Sequence, residues 1–163
     1  MKKQDLLEGK RILMVDDEPD VLDALSDLLD MCILSRASTF EEARQKLLDG
    51  RFDMAILDIM GVDGYQLLEY AVQKKIPAIM LTAHALSPED TLKSHKKGAA
   101  YYLPKEEMFN IQRHLTDVLE AQAKGKNTWE RWFDRFASFY ERKFGPDWQE
   151  PDRKYWDKFK NFY

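Results

Sequence analysis

Four short apolar runs, each ending on polar residues, constrain this chain more than any other feature. Ile12-Leu13-Met14-Val15 runs into Asp16-Asp17, Met54-Ala55-Ile56-Leu57 into Asp58, Ile79-Met80-Leu81 into Thr82, and Tyr101-Tyr102-Leu103 into Pro104-Lys105. Runs this short, without polar alternation, suit strands of a parallel sheet buried on both faces. Helical spacing fills the intervals. Val21, Leu22, Leu25, Leu28 and Leu29 follow Pro19, which stands where a first helical residue would. Ala43, Leu47 and Leu48 follow Ser38-Thr39-Phe40-Glu41, which has the form of a capping box, and Gly50 stops that helix. Gly64 begins a third helix through Leu67, Leu68 and Ala71, and Ser87-Pro88-Glu89-Asp90 opens a fourth that runs to Gly98 with few apolar residues. Residues 107–123, with Phe109, Ile111, Leu115, Val118 and Leu119, form a fifth. A weaker strand from Ile33 to Ala37, interrupted by Ser35 and Arg36, completes the β-α alternation and belongs at an edge.

Such alternation predicts an α/β fold with a five-stranded parallel sheet, covered on both faces and joined by right-handed crossovers. Open sheets of this kind bind ligands beyond the carboxyl ends of the strands, where the strand order reverses. All the terminal polar residues lie at carboxyl ends, so separate strands bring Asp16, Asp17, Asp58, Thr82 and Lys105 to one edge. Ionised carboxylates packed there repel one another: a pair about 4 Å apart costs roughly 4 kcal/mol at an effective dielectric near 20. A cation must therefore sit among them. Oxygen ligands in small number suit Mg2+, which keeps several waters and shares its shell with phosphate. With Mg2+ and Lys105 neutralising the site, the Asp58 carboxylate could attack a phosphorus atom, and Lys105 and the Thr82 hydroxyl would meet the developing charge.

The 163 residues allow one domain with a proper core plus an appendage. No apolar run approaches the roughly 20 residues of a membrane helix, and the N-terminus lacks the apolar stretch of a secretory signal. A cytoplasmic protein without membrane association is the expectation. The single Cys32 and three scattered histidines speak against a disulfide framework or a zinc site. The net charge of −4 is uneven, since residues 1–124 carry 16 basic and 22 acidic side chains and residues 125–163 carry 9 and 7. The acidic body should repel nucleic acid. Of the 20 aromatic residues, 13 lie in the last 39, including all four Trp. This shift divides the chain into a domain over residues 1–124 and an aromatic helical extension over 125–163.

In that extension Asn127-Thr128-Trp129-Glu130 caps a helix with Trp129, Trp132, Phe133, Phe136, Phe139, Tyr140 and Phe144 along one broad face, stopped by Gly145-Pro146. A second short helix from Pro151 carries Tyr155, Trp156, Phe159, Phe162 and Tyr163. A segment this short rarely folds alone. It must either pack on its own domain or offer an aromatic surface to a second copy or a downstream protein. Its interleaved basic and aromatic residues also permit nucleic acid, which the small charge and the lack of a recognition-helix motif disfavour.

Taken singly, these residues have plainer readings. Asp16-Asp17 is a common helix start, Thr82 an ordinary strand residue, Tyr102 a core aromatic and His84 a solvated loop residue. In this order and on these elements, however, Asp16-Asp17, Asp58, Asp63-Gly64, Thr82-Ala83 and Lys105 resemble the receiver domains of two-component response regulators, over about residues 9–124. The resemblance implies a flavodoxin-like three-layer sandwich in which Asp58 is the phosphoacceptor. It further implies that Asp17, Asp58 and the Met60 carbonyl bind Mg2+ directly, Asp16 through water, and that Thr82 and Lys105 hold the phosphoryl oxygens. Tyr102 matches the aromatic that swings inward as the threonine moves toward phosphate, and His84 takes a position that tunes hydrolysis. The implied donor is a sensor histidine kinase or phosphotransfer protein, and the implied output is a switched protein–protein contact. Enzymatic activity would extend no further than self-phosphorylation and autodephosphorylation at Asp58. The chain departs from the family pattern in two places. Only Ile59-Met60-Gly61-Val62 separates Asp58 from Asp63, without a proline, and Pro104 precedes Lys105 where the family has proline after it. Two other readings stay open. One is a phosphorylation-independent scaffold of the same fold acting through the aromatic tail. The other is a haloacid-dehalogenase-type phosphatase, a family that places a second Asp where Met60 stands.

Overall fold

Every residue of Met54–Asp58 and of Ala78–Thr82 is buried, as unalternating strands sandwiched between helical layers must be. The structure is a computed structural model that describes residues 6–83 and 87–148. In chain order it contains β1 (Arg11–Val15), α1 (Pro19–Leu28), β2 (Ile33–Ala37), α2 (Phe40–Asp49), β3 (Met54–Asp58), α3 (Gly64–Gln73), β4 (Ala78–Thr82), α4 (Pro88–Lys96), β5 (Tyr101–Pro104), a 3₁₀ segment (Lys105–Asn110), α5 (Ile111–Ala123) and α6 (Trp129–Phe144). The strands form one parallel sheet in the order β2-β1-β3-β4-β5. Leu25 and Leu29, Ala43 and Leu47, Leu67 and Leu68, and Leu115 and Val118 face the buried strands and complete the core. β2 lies at an edge as expected, with Ile33 exposed.

Three local details differ from the sequence expectation. Thr39, rather than Ser38, is the cap of α2: its hydroxyl accepts from the Glu42 N–H at 3.2 Å, and the Glu42 carboxylate accepts from the Ser38 N–H at 2.8 Å. The box is thus displaced by one residue, which lets Ala43 and Leu47 face the core. The segment before α5 is 3₁₀, with three residues per turn instead of 3.6. That period leaves Phe109 81% exposed while Ile111 is buried. Finally, α4 ends at Lys96, and Gly98 reverses the chain at φ +97°.

α6 begins beneath a side-chain cap, the Asn127 Oδ1 accepting from the Trp129 N–H at 2.8 Å. Trp129, Trp132, Phe133, Phe136 and Tyr140 are buried; Phe139 is half-buried and Phe144 exposed, so the apolar face is narrower than the full set of aromatics. The helix packs over β5, the other edge of the sheet, and against α4 and α5. The Trp129 indole donates to the Ala99 carbonyl at 2.8 Å and the Trp132 indole to the Tyr102 carbonyl at 2.9 Å. Arg135 donates to the two oxygens of the buried Asp117 on α5 at 2.6 and 3.1 Å, and Arg131 reaches the same carboxylate at 3.2 Å. After Gly145 the chain turns back and lays Trp148 on Tyr140, ring centres 4.8 Å apart. Through Trp148 the aromatic segment therefore packs on the chain's own sheet edge, which covers a strand that would otherwise invite pairing. The helix expected from Pro151 lies outside the described residues. No described helix is long and apolar enough to cross a membrane.

Candidate functional site

Strand register staggers the polar residues around one crevice. Val15 pairs with Leu57, so Asp16, one residue beyond β1, comes level with Asp58 at the end of β3. Asp58 pairs with Leu81, which places Thr82 one step further, and Thr82 pairs with Pro104, which places Lys105 one step further again. The crevice lies between β1 and β3, where the strand order reverses. Asp16, Asp58 and Thr82 are buried, while Asp17 and Glu18 are exposed at the rim.

Lys105 ties the acids together. Its Nζ lies 2.9 Å from Asp16 Oδ2 and 3.5 Å from Asp58 Oδ1, and it donates to Glu18 Oε1 at 3.2 Å. The other Asp16 oxygen accepts from the Glu18 N–H at 2.9 Å. Asp16 Oδ2 is buried and has the Lys105 ammonium as its charge partner. Burial, then the charge of Asp16, pushes the Asp58 carboxyl up to about 7 against the pull of Lys105. Burial also raises the Asp16 carboxyl, against the Glu18 N–H and Lys105. At Lys105 burial works against the charge, but Asp16 and Asp58 outweigh it and the ammonium is held above its ordinary value.

Two glycines let the backbone close around these acids. Gly61 sits at φ +80°, and a Cβ there would come 2.6 Å from Asp17 Oδ2. At Gly64, the first residue of α3, a Cβ would come 2.1 Å from the Asp58 carbonyl oxygen. The short loop closes through the Ile59 N–H to Leu81 O at 3.0 Å and the Gly64 N–H to Ile59 O at 3.1 Å. Within it the Met60 carbonyl accepts from the Val62 N–H at 2.9 Å, and the Met60 side chain stands exposed at the rim.

The acid cluster fits a hard divalent cation. Asp16, Asp17 and Glu18 each offer an oxygen within 4.8 Å of the others, and the donors are all carboxylate oxygens. Asp16 Oδ2, which meets Lys105 at 2.9 Å, has acceptor capacity left for a ligand bond. Glu18 was not singled out from sequence, where it reads as part of the helix start; its place directly after two aspartates was the available signal. Tyr102 is fully buried, and burial, then the Asp90 charge, pushes the phenol well above its usual range against the pull of Ser87. His84 lies outside the described residues.

Comparison with known proteins identifies the family of this fold. The family described as "Response regulator receiver domain" matches residues 12–118. The Arabidopsis thaliana "Two-component response regulator ARR10" is 36% identical over 118 residues, covering 66% of this chain and 21% of the relative. ARR12 from the same plant is 33% identical over 132 residues, covering 73% of this chain and 22% of the relative. The match thus spans about a fifth of those relatives' length. Among solved structures, a CheY-like response regulator receiver domain protein from Methanospirillum hungatei is 27% identical with a TM-score of 0.59, covering 71% of this chain and 99% of its own. A response regulator described as putative, from Chloroflexus aurantiacus, is 28% identical with a TM-score of 0.62, covering 69% and 99%. The family match takes in well over half of the chain, and by it this protein belongs to the response regulator receiver domains.

Proposed function

We propose that the chain is a phosphoacceptor response regulator: Asp58 takes a phosphoryl group from a phosphohistidine on a sensor kinase or phosphotransfer protein and later releases it to water. The observation that carries this reading is the Lys105 ammonium set between Asp16 and Asp58, 2.9 and 3.5 Å away, beside a buried carboxylate whose pKa is about 7. A carboxylate destabilised in this way gains when its charge is spread over a phosphoryl group that other cations can reach.

In the transfer, an ionised Asp58 oxygen attacks phosphorus while the P–N bond breaks and the imidazole nitrogen takes its electron pair. Lys105 leaves Asp16 and Glu18 for a phosphoryl oxygen, and the Thr82 hydroxyl donates to another. Bound Mg2+ supplies the positive charge that lets the acid cluster and the phosphoryl oxygens share the crevice. Asp17, Asp58 and the Met60 carbonyl would hold it, with Asp16 and Glu18 alongside. In hydrolysis a water oxygen attacks the same phosphorus, the acyl P–O bond breaks, and the carboxylate is restored. Residues 1–124 act as the receiver and 125–163 as its extension, in the cytoplasm with the donor, and the product state switches a protein–protein contact.

The test is intact-mass spectrometry after incubation with a small phosphodonor and Mg2+. The wild-type chain should gain the mass of one phosphoryl group and lose it with time, and Asp58→Ala should gain none. A wild type that stays unmodified, or an Asp58→Ala chain modified to the same extent, would rule the reading out.

A further inference from the structure

α4 is seated by hydroxyl groups where most helices use apolar side chains. Its buried residues are Thr91 and Ser94. Thr91 Oγ1 spends its proton on the Ser87 carbonyl at 2.7 Å, so the bond between Thr91 and the fully buried Tyr140 of α6 has the tyrosine as donor. Ser94 reaches the Tyr65 hydroxyl at 3.4 Å, and Tyr65 in turn reaches Asp90 at 3.3 Å. Hydrogen bonds weaken steeply with angle and distance, whereas an apolar seat tolerates sliding. A shift of α4 is therefore felt directly at Tyr140. A second link runs through β5, where the Tyr102 carbonyl holds the Trp132 indole three residues before Lys105.

Both links lie close in sequence to the candidate site. β4 ends on Thr82, five residues before Ser87, which caps α4 with its side chain on the Asp90 N–H at 3.1 Å. β5 ends against Lys105. The Tyr102 side chain, whose own carbonyl holds Trp132, is buried beside Ser87, the cap of α4, so the two links meet there.

We propose that α6 is a built-in ligand for the chain's own α4–β5–α5 face, and that a phosphoryl group on Asp58 weakens its docking through Thr91–Tyr140 and Tyr102–Trp132. This rests on the phosphoacceptor reading above. Drawing Thr82 and Lys105 toward phosphoryl oxygens shifts the start of α4 and the end of β5, and the Tyr140 bond is the first to go. The face so released is one built for an amphipathic aromatic helix: backbone carbonyls for two indoles, and the Asp117 carboxylate for two arginines. Coupling is reciprocal, so whatever factor the phosphoryl group takes from α6 docking, loosening α6 returns to phosphoryl binding.

The experiment uses the full chain with beryllofluoride and Mg2+ as the phosphoryl mimic, its binding followed by fluorine NMR and α6 docking by amide hydrogen exchange. Bound mimic should speed exchange across residues 129–144 about tenfold, within the usual range of coupling, and leave residues 40–49 unchanged. Tyr140→Phe and Thr91→Val should each bind the mimic several-fold more tightly. Bound mimic with exchange in α6 unchanged or slowed overturns the proposal, as do variants that bind it no more tightly than wild type. A chain that binds no mimic removes the phosphoacceptor reading, and this proposal falls with it.

Discussion

Replacing Asp58 by Asn should stabilise the metal-free protein, and by more as the pH rises. The Asp58 carboxyl moves from 3.8 in the unfolded chain to about 7 in the folded one, by burial first and the Asp16 charge second. Between those values the folded state keeps a proton that the unfolded chain has released, so stability falls as pH rises through the window. A rise of that size corresponds to ~4 kcal/mol, of which roughly 2–3 kcal/mol is lost between about pH 5 and about pH 8. Asn keeps the shape and does not titrate. His95 and His114 act in the opposite sense: burial lowers both to about 4, so their contribution is present above their ordinary value of 6.5 and is lost as pH falls below it. The wild-type curve alone mixes these effects, and the difference between wild type and Asp58→Asn cancels the histidine contributions. Urea unfolding of both proteins in EDTA across this range measures it. The variant should gain roughly 2–3 kcal/mol on the wild type from about pH 5 to about pH 8, and Mg2+ should narrow the gap by binding the native wild type. Parallel curves, or a wild type that gains on the variant as pH rises, would refute the electrostatic account of the site.

Trp132→Ala removes the largest fully buried side chain among the described residues and its indole bond to Tyr102, and should cost about 3–5 kcal/mol in denaturant unfolding. Asp117→Ala leaves Arg135 and Arg131 without their buried partner; because both arginines are partly exposed, the loss should be about 2 kcal/mol, below that of a fully buried pair. Gly64→Ala drives a methyl group into the Asp58 carbonyl, and should cost about 3 kcal/mol or more in the same assay and abolish phosphoryl uptake.

The parts of the fold legible in the sequence were those that repeat a local pattern. β3 and β4 are apolar at every buried position before their last because both of their faces are covered, so their runs and the acid or hydroxyl at each end stood out. β-α alternation then sufficed to bring Asp16, Asp58, Thr82 and Lys105 to one edge. Phe109 was misplaced because helical periodicity was carried back through a segment that winds as 3₁₀. Pairings without periodicity were invisible. Thr91 and Tyr140 are 49 residues apart, and Arg135 finds Asp117 across 18. The few apolar residues of α4 are legible in the sequence, whereas the bonds of its buried Thr91 and Ser94 to Tyr140 of α6 and Tyr65 of α3 are not. The position of Asp58 could be read from its strand, but its raised pKa depends on burial and on the Asp16 charge, which only packing determines.

The central claim is that Asp58 carries the phosphoryl group, and the most direct measurement is chemical trapping of the acyl phosphate. Brief exposure to a small phosphodonor with Mg2+, followed by borohydride, reduces an aspartyl phosphate to homoserine, which peptide sequencing by mass spectrometry locates. The account predicts homoserine at position 58 and at no other aspartate, with none in chains that never met the donor. Homoserine at Asp16, Asp17 or elsewhere, or an intact Asp58 in chains that have gained phosphoryl mass, would contradict it.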